Sequence, residues 1–304
     1  MISRNLSRFV RGATPYQRPY QAYLYILPGF AVYALFVLIP VASTFLYSLT
    51  EWTGFSDPAY IGLDNYRRLV NDPNFWNALG NNLFFIIFYT ILPIMLGLLL
   101  TSLIARTRLR GMIVYRVGLF VPQVMSAVVV GIIWRWIFDF NGPFNELLRT
   151  AGLESAVTPW LGNFQTARNA AGGVGTWVEY GLAMVLFIAG AQSINEDLYE
   201  AARVDGANAL QQFWYVTLPG LRQQLLVAFT LTFIAALRVF DLVFVLTRGG
   251  PGRATEVVSM LIYEEGFNQN RAGYAAAMAL VLSVIIIGVS ATIFTLQSRH
   301  DDEA

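Results

Sequence analysis

Long apolar runs separated by short polar segments dominate this chain of 304 residues. A helix needs about 20 mostly apolar residues to cross a hydrocarbon core of about 30 Å, because each residue adds about 1.5 Å. Two charge-free intervals, between Arg18 and Glu51 and between Asp72 and Arg106, exceed that length. The pattern predicts six spans, at about Tyr23–Leu49, Leu83–Ala105, Ile113–Phe138, Thr176–Ile194, Leu225–Thr247 and Ala275–Leu296.

The arginines around the first two spans predict their orientation. Cytoplasmic loops of membrane proteins carry an excess of basic residues, and this bias sets the direction of insertion. Four arginines precede the first span and three follow the second, whereas the loop between these spans carries only Arg67 and Arg68 beside four acidic residues. We therefore expect the following arginines to be cytoplasmic: Arg4, Arg8, Arg11, Arg18, Arg106, Arg108 and Arg110.

Alternation of six spans then divides the chain. A cytoplasmic tail is predicted at 1–21, a transmembrane domain at 22–297 and a second cytoplasmic tail at 298–304. The predicted fold class is an all-α integral membrane protein with six transmembrane helices. Within the domain, the cytoplasmic segment is expected at 195–224 and the external segments at 139–175 and 248–274.

Composition supports a membrane protein and excludes several kinds of chemistry. Hydrophobic residues make up 56% of the chain and charged residues 13%, about half the share usual in soluble domains. No basic block suited to nucleic acid is present, cysteine and lysine are absent, and the one histidine is His300. Thiolate metal sites, histidine-dependent catalysis and the lysine-containing phosphate loop of ATPases are therefore excluded. We expect no catalytic residue, metal ligand or ATP site on this chain.

A polar segment between the fourth and fifth spans predicts a helix, a sharp turn and a second helix. Asn195 and the two acidic residues after it are typical of a helix N-terminus. Gly206 fits the left-handed residue that ends such a helix, and Asn208 is a cap for the next one. Leu218-Pro219 is expected to stop the second helix before the fifth span.

The composition of this hairpin favours docking against another protein. Ala201 and Ala202 allow a facing surface to approach closely, and Glu200, Arg203 and Asp205 can form charge-assisted contacts around them. The alternative is an amphipathic connector lying on lipid headgroups, which would need more basic residues on its polar face. Both alternatives place the hairpin at the membrane surface.

The same residues resemble a known motif. Glu200-Ala201-Ala202, three residues, Gly206, nine residues and Val216-Thr217-Leu218-Pro219 match the EAA loop of binding-protein-dependent ABC importer permeases, with Val216 at a position usually taken by isoleucine. The stretch from Arg238 to Glu256 resembles the end of the fifth span in the carbohydrate-uptake branch of this family. The resemblance extends over about 81–297, and more loosely through the first span.

This resemblance implies a permease whose hairpin is a coupling helix-turn-helix, bound in a cleft of a separate ATP-hydrolysing subunit. The implied function is to form half of the path for a sugar or related solute in a bacterial or archaeal cell membrane. The implied partners are a second permease, two copies of an ABC ATPase that bind ATP and Mg, and an extracytoplasmic solute-binding protein. The implied coupling residues are Glu200, Ala201, Ala202, Arg203, Asp205, Gly206, Val216, Leu218 and Pro219.

Four polar residues within the predicted spans are candidates for the translocation path, because ionisable groups inside a membrane are costly. Arg238 and Asp241 are three residues apart, so in one helix they share a face and either pair with each other or contact the cargo. Glu179 and Tyr180 are expected near the outer end of the fourth span, as contacts to sugar hydroxyls or as interface residues.

The residues after the fifth span have two interpretations. The turn at 249–252 and the segment at 254–268 either form a docking surface for a binding protein or are an ordinary turn followed by a re-entrant or interfacial helix. An ion-gradient-driven secondary transporter or a channel is the alternative function for the whole chain. Such a protein would be expected to show an intramembrane acid chain, broken helices in matching halves or a filter loop, and none stands out.

Overall fold

The computed structural model describes residues 19–105 and 112–301, and within them the chain is almost entirely helical. The seven arginines expected on the cytoplasmic side lie outside these residues, as does most of the predicted N-terminal tail. Residues 302–304 of the predicted C-terminal tail also lie outside them.

The first span is followed by a small loop that contains a two-stranded antiparallel ladder. In this ladder Thr50 pairs with Tyr60, and Glu51 pairs with Ala59. The elements of this region are α1 (Pro19–Tyr33), a π turn (Ala34–Leu38), α2 (Ile39–Ser48), β1 (Thr50–Glu51), β2 (Ala59–Tyr60) and α3 (Asp64–Val70).

The central part of the chain contains the second, third and fourth spans. Its elements are α4 (Pro73–Ile86), a π turn (Ile87–Ile91), α5 (Leu92–Ala105), α6 (Met112–Val124), α7 (Ala127–Ile137), α8 (Pro143–Thr150), a 3₁₀ turn (Glu154–Ala156) and α9 (Ala167–Ala191).

The hairpin and the last two spans complete the described chain. Their elements are α10 (Glu196–Val204), α11 (Ala209–Gln212), a π turn (Phe213–Thr217), α12 (Leu218–Gly220), α13 (Arg222–Arg238), α14 (Asp241–Thr247), α15 (Val258–Tyr263), a π turn (Glu264–Asn268) and α16 (Ala272–Asp301).

The number of spans depends on how bent helices are counted. Four helical segments of the described chain are long and apolar enough to cross a membrane, and the number rises to six if each of two bent pairs is one span. The second span begins at Pro73 and the fourth at Ala167, well before the predicted Leu83 and Thr176. Both starts are polar, and their side chains find partners inside the protein, as described below.

Two predicted spans are not straight helices. The third bends by 94° between α6 and α7, where Ser126 takes an extended conformation. The predicted fifth span, Leu225–Thr247, is interrupted after α13 because Val239 also leaves the helical conformation, with φ −54° and ψ 129°. The sequence is apolar on the N- and C-terminal sides of both interruptions, so the average hydrophobicity of each span does not reveal them.

Three of the π turns in the described chain end two residues before a proline, at Pro40, Pro93 and Pro219. A proline inside a helix clashes with the carbonyl four residues earlier and donates no hydrogen bond. In each case that carbonyl belongs to the middle residue of the π turn, where the helix is widened. The helix ends at Gly220, one residue after Pro219, and the chain bends by 71° before α13, so the predicted end of this helix at Leu218-Pro219 is confirmed to within one residue.

Small residues allow α9 to pack lengthwise against α5 near the centre of the bundle. Half of the residues in the most apolar 18-residue stretch of α9 are buried inside the protein. At Gly97 of α5, an added Cβ would lie 2.8 Å from the Cβ of Ala183, so only glycine permits this approach. Close packing of this kind is the usual basis of helix association in membranes, where the surrounding lipid is as apolar as the side chains.

The interruption after α13 is closed by Asn82, a fully buried residue of α4. Its Nδ2 donates to the carbonyls of Ala236 at 3.0 Å and Leu237 at 3.2 Å. Its Oδ1 accepts from the backbone N–H of Val258 at 2.9 Å, at the start of α15. These are helix-end groups that have no partner within their own helices.

The preceding residue, Asn81, ties the same region to α9. Its Nδ2 donates to the carbonyl of Glu256 at 2.8 Å, and its Oδ1 accepts from the Arg168 guanidinium at 3.2 Å. The Arg168 guanidinium also lies 4.0 Å from the centre of the Phe84 ring. These contacts explain why α4 and α9 begin in polar sequence.

We predict that Asn82→Leu lowers the thermal stability of the purified protein in detergent. The change leaves three buried backbone groups unpaired, and each such group costs about 1–3 kcal/mol. Asn77→Leu is the matched control, because Asn77 lies on the same helix but is exposed and donates only one bond, to the carbonyl of Arg253. Equal loss of melting temperature in both variants would contradict the assigned role of Asn82.

Candidate functional site

The turn of the hairpin (residues 195–220) is formed by Gly206. Its φ of +80° lies in the left-handed region, which costs other residues about 1–2 kcal/mol. The N–H of Gly206 donates to the carbonyl of Arg203 at 3.1 Å, and the N–H of Ala207 donates to that of Ala202 at 2.8 Å. This pair of bonds is a Schellman motif, so the predicted helix end at Gly206 is confirmed.

Both helix starts in the hairpin are capped as predicted. The Asn195 side chain accepts from the N–H of Asp197 at 3.0 Å. The Asn208 side chain accepts from the N–H of Gln211 at 2.9 Å, and the Gln211 side chain accepts from the N–H of Asn208 at 2.8 Å. This reciprocal capping box closes the second helix start without help from the rest of the protein.

The two arms of the hairpin are joined to each other and to the bundle at their base. The hydroxyls of Tyr199 and Thr217 lie 2.9 Å apart and link the arms. Ile194 packs against the backbone of Gly220, and Leu221 is fully buried. Beyond this base, a cavity of about 510 Å³ separates the hairpin from the ends of α5 and α9.

The predicted coupling residues occupy one projecting surface. Glu200 and Arg203 form an ion pair at 3.7 Å, which contributes little to stability because both side chains are exposed. The charged groups are therefore free to contact another molecule. In the described structure Glu200, Ala201, Arg203, Asp205, Gly206 and Pro219 are exposed, and Ala202, Val216 and Leu218 are half-buried.

Five large apolar side chains of the hairpin are also exposed, and they are not among the residues predicted from the sequence to act in coupling. Val204 is 87% exposed and Tyr215 is 80% exposed. Large apolar residues within a polar segment were the available signal for such a surface. Together we call them the apolar rim: Leu198, Val204, Leu210, Trp214 and Tyr215.

Residues 248–271 lie at the opposite end of the molecule from the hairpin. Asn81 and Arg168 join this loop to the start of α9, whereas the hairpin follows the end of α9. A helix of 25 residues such as α9 is about 37 Å long. The two ends are therefore separated by about the thickness of a membrane.

The prediction that Arg238 and Asp241 share one face of a helix is wrong. Arg238 ends α13 and Asp241 begins α14, so the extended residue Val239 separates them. Both side chains are exposed, and the described residues include no ion pair between them. The interruption of the helix thus presents two opposite charges separately on the surface of this chain.

The prediction that Glu179 and Tyr180 lie near the outer end of the fourth span is wrong. Both residues lie at the middle of α9. Tyr180 is buried and Glu179 is half-buried. The ring of Tyr89 packs against Gly175, one turn before Glu179, and its buried hydroxyl has no hydrogen-bond partner among the described residues. Tyr89 was missed because a single tyrosine in an apolar span is a weak signal.

The segment after the fifth span is a turn followed by the short helix α15, an arrangement that fits both interpretations. Glu265 and Arg271 form an ion pair at 2.7 Å within it. Burial raises the pKa of Glu265, and the charge of Arg271 acts in the opposite direction. Side-chain hydrogen bonds from Asn268 and Gln269 lower the pKa of Glu264.

No candidate metal site is found in the part of the chain that the structure describes. These residues include no group of three histidine, cysteine or carboxylate side chains suited to a metal ion. The features that remain are the projecting hairpin at one end, the polar residues near the two middle helices, and the charged loop at the other end.

Solved structures share this fold. A crystal structure of a bacterial ABC transporter that imports the acidic polysaccharide alginate contains a chain similar to this one, with a TM-score of 0.78 and 23% identity. The match covers 93% of this chain and 96% of that chain.

Relatives of known family extend the comparison to the sequence. A probable ABC transporter permease, YurN of Bacillus subtilis, is 35% identical over 271 residues, which are 88% of this chain and 92% of YurN. The trehalose/maltose transport permease MalF of Thermococcus litoralis is 34% identical and matches 90% of this chain and 92% of its own. Residues 94–299 match the family model described as binding-protein-dependent transport system inner membrane component. The chain therefore belongs to the family of inner membrane permeases of binding-protein-dependent ABC transporters.

Proposed function

We propose that this chain forms one half of the translocation path of an ATP-driven sugar importer and that its hairpin transmits the movement of a partner ATPase to the membrane helices. The observation that carries this proposal is the hairpin itself. Its turn and both helix starts are closed by local hydrogen bonds, so it keeps its shape while projecting from the bundle.

The surface of the hairpin fits a protein partner better than lipid headgroups. The hairpin exposes both the apolar rim and the charged groups of Glu200, Arg203 and Asp205, and only Arg203 among these is basic. An interfacial helix would instead present several basic residues to anionic lipid. An apolar patch edged by charged groups is typical of a helix that docks in a groove of another protein.

The translocation path is proposed to run past Glu179, Tyr180, Arg238 and Asp241. The first two residues lie at the middle of α9, where a half-buried carboxylate inside a membrane protein is a functional candidate. The other two are exposed on either side of the helix interruption, and they face outward from this chain. A second permease would enclose them, so that the path lies between the two subunits.

The proposed assembly has four membrane-associated chains and one external partner. It contains this chain, a second permease and two copies of an ATPase that bind ATP and Mg, with a solute-binding protein outside. Names of relatives support a sugar as cargo, because they include a multiple sugar-binding system in Streptococcus mutans and the trehalose/maltose system of Thermococcus litoralis. We propose that both termini and the hairpin lie on the cytoplasmic side.

Secondary transport is the alternative function, and one observation bears on it. Interrupted helices line ion and substrate sites in such transporters, and the fifth span is interrupted at Val239. However, the two carbonyls that end α13 bond to Asn82 rather than to a site for an ion. Family membership favours the ATP-driven mechanism.

Uptake into proteoliposomes tests the proposal directly. Vesicles that contain the assembled importer should accumulate at least one radiolabelled sugar from a panel of mono- to tetrasaccharides that includes maltose, trehalose and diacetylchitobiose. Accumulation should require internal ATP and external binding protein. Uptake driven by an ion gradient in the absence of ATP would instead establish the secondary transporter.

Gly206→Val should uncouple the hairpin from transport. Valine disfavours the left-handed conformation by about 1–2 kcal/mol and redirects the second arm. We expect sugar uptake and transport-coupled ATP hydrolysis to fall together, while the amount of membrane-inserted protein stays unchanged.

The matched control is Gly152→Val at the opposite end of the molecule. Gly152 also has a positive φ, of +74°, also ends a helix with a Schellman motif, and also has free space around its Cα. The backbone strain is therefore the same in both variants. Equal loss of activity in both, or normal uptake in Gly206→Val, would count against the coupling role.

Single cysteines should report which side each end faces, because the natural chain contains none. We expect Asp205→Cys to react with a membrane-impermeant maleimide only after the cells are opened. Glu154→Cys, also exposed but near α8, should react in intact cells. Labelling of position 205 from outside would place the hairpin on the wrong face for an ATPase.

A further inference from the structure

A cavity of about 330 Å³ lies at the loop end of the molecule, between α14 and the segment at 258–268. Its lining does not include Glu179, Tyr180, Arg238 or Asp241. The side chains around it combine aromatic rings with charged and amide groups: Phe244, Arg248, Arg253, Glu256, Tyr263 and Asn268.

One wall of the cavity belongs to a series of aromatic rings. The ring centres of Phe240 and Phe244 are 5.2 Å apart, those of Phe244 and Tyr263 are 5.8 Å apart, and those of Tyr263 and Phe267 are 5.3 Å apart. Exposure rises along the series, to 38% for Tyr263 and 74% for Phe267. The rings therefore extend from the residue after Val239 to the outer surface.

The opposite wall contains a carboxylate without a hydrogen bond. Glu256 is buried, and its Oε2 has no hydrogen-bond partner in the described structure. The nearest cation, the Arg253 guanidinium, lies 3.8 Å away, beyond hydrogen-bonding distance. Burial raises the pKa of Glu256, and the charge of Arg253 acts in the opposite direction. Buried carboxylates of this kind normally have a donor.

Backbone conformation brings two guanidinium groups to the same cavity. Arg248 and Arg253 both have positive φ angles, of 51° and 66°, which are uncommon for residues other than glycine. Arg248 is exposed and forms no ion pair with any described residue. With Glu256 and Glu264 on the lining, the formal charges of the two arginines are balanced, so the lining carries no net formal charge.

We propose that this cavity is an outer subsite for one neutral sugar ring, which it receives before the ring reaches the helix interruption. The proposal rests on the proposed function and adds a location to it. The Tyr263 ring would pack against the apolar face of the sugar, a hydroxyl would donate to the carboxylate of Glu256, and Arg248 would donate to a ring or hydroxyl oxygen. Aromatic faces with a few convergent polar groups are typical of small-ligand sites.

The number of sugar molecules transported per ATP hydrolysed tests this subsite in the same proteoliposomes and with the same sugar panel. A weak outer subsite lets sugar escape after release from the binding protein, while the ATPase cycle continues. We expect Tyr263→Leu and Glu256→Gln each to lower this ratio at least threefold. ATP hydrolysis stimulated by the loaded binding protein should stay within twofold of the natural protein.

Two further variants separate sugar contact from structural damage. Tyr263→Phe keeps the ring and should keep the ratio. Phe55→Leu makes the same kind of change at an aromatic residue that is 91% exposed in the loop after the first span, and it should have no effect.

The outcomes are distinguishable. If the ratio of sugar transported to ATP hydrolysed is unchanged in both Tyr263→Leu and Glu256→Gln, the subsite proposal is wrong. It is also wrong if uptake and ATP hydrolysis fall in parallel, because that result indicates a structural or subunit-contact role. If the natural protein transports no sugar of the panel, the proposed function itself fails.

Discussion

A helix that ends inside a bundle leaves backbone carbonyls without hydrogen-bond donors. In this protein the carboxamide of Asn82 donates to two of those carbonyls, at the end of α13. Its donors bind the last turn of α13, and its oxygen binds the first turn of α15. Because unpaired backbone groups away from water cost several kcal/mol, the interruption at Val239 depends on this side chain. The separate orientations of Arg238 and Asp241, and the placement of the loop at 248–271, follow from it.

The two ends of the molecule are stabilised in different ways. At the loop end, Asn77, Asn81 and Asn82 of one helix bond to backbone more than 150 residues away in sequence. The hairpin instead relies on bonds between neighbours, such as the capping box at Asn208 and the Schellman motif at Gly206. Ile194 and Leu221, at its base, pack within the bundle.

The accuracy of sequence-based prediction follows the same division. Caps and the left-handed glycine depend on residues within one or two turns, so the hairpin was predicted in detail from Asn195, Gly206 and Asn208. The end of α13 depends on Asn82, about 155 residues earlier, and the residues around the break, Arg238 and Asp241 included, do not identify this partner. The middle position of Glu179 was missed for a related reason, since α9 begins in polar sequence that only Asn81 and its neighbours make favourable.

The widened turns before Pro40, Pro93 and Pro219 have a consequence for how these helices vary. Each π turn holds one residue more than an α turn would, and an extra residue rotates all later side chains by about 100° around the axis. Deleting one residue at 213–217 would restore a regular helix but turn a different set of side chains toward the bundle. The number of residues in each helix ahead of these prolines is therefore as constrained as the kinds of residue found there.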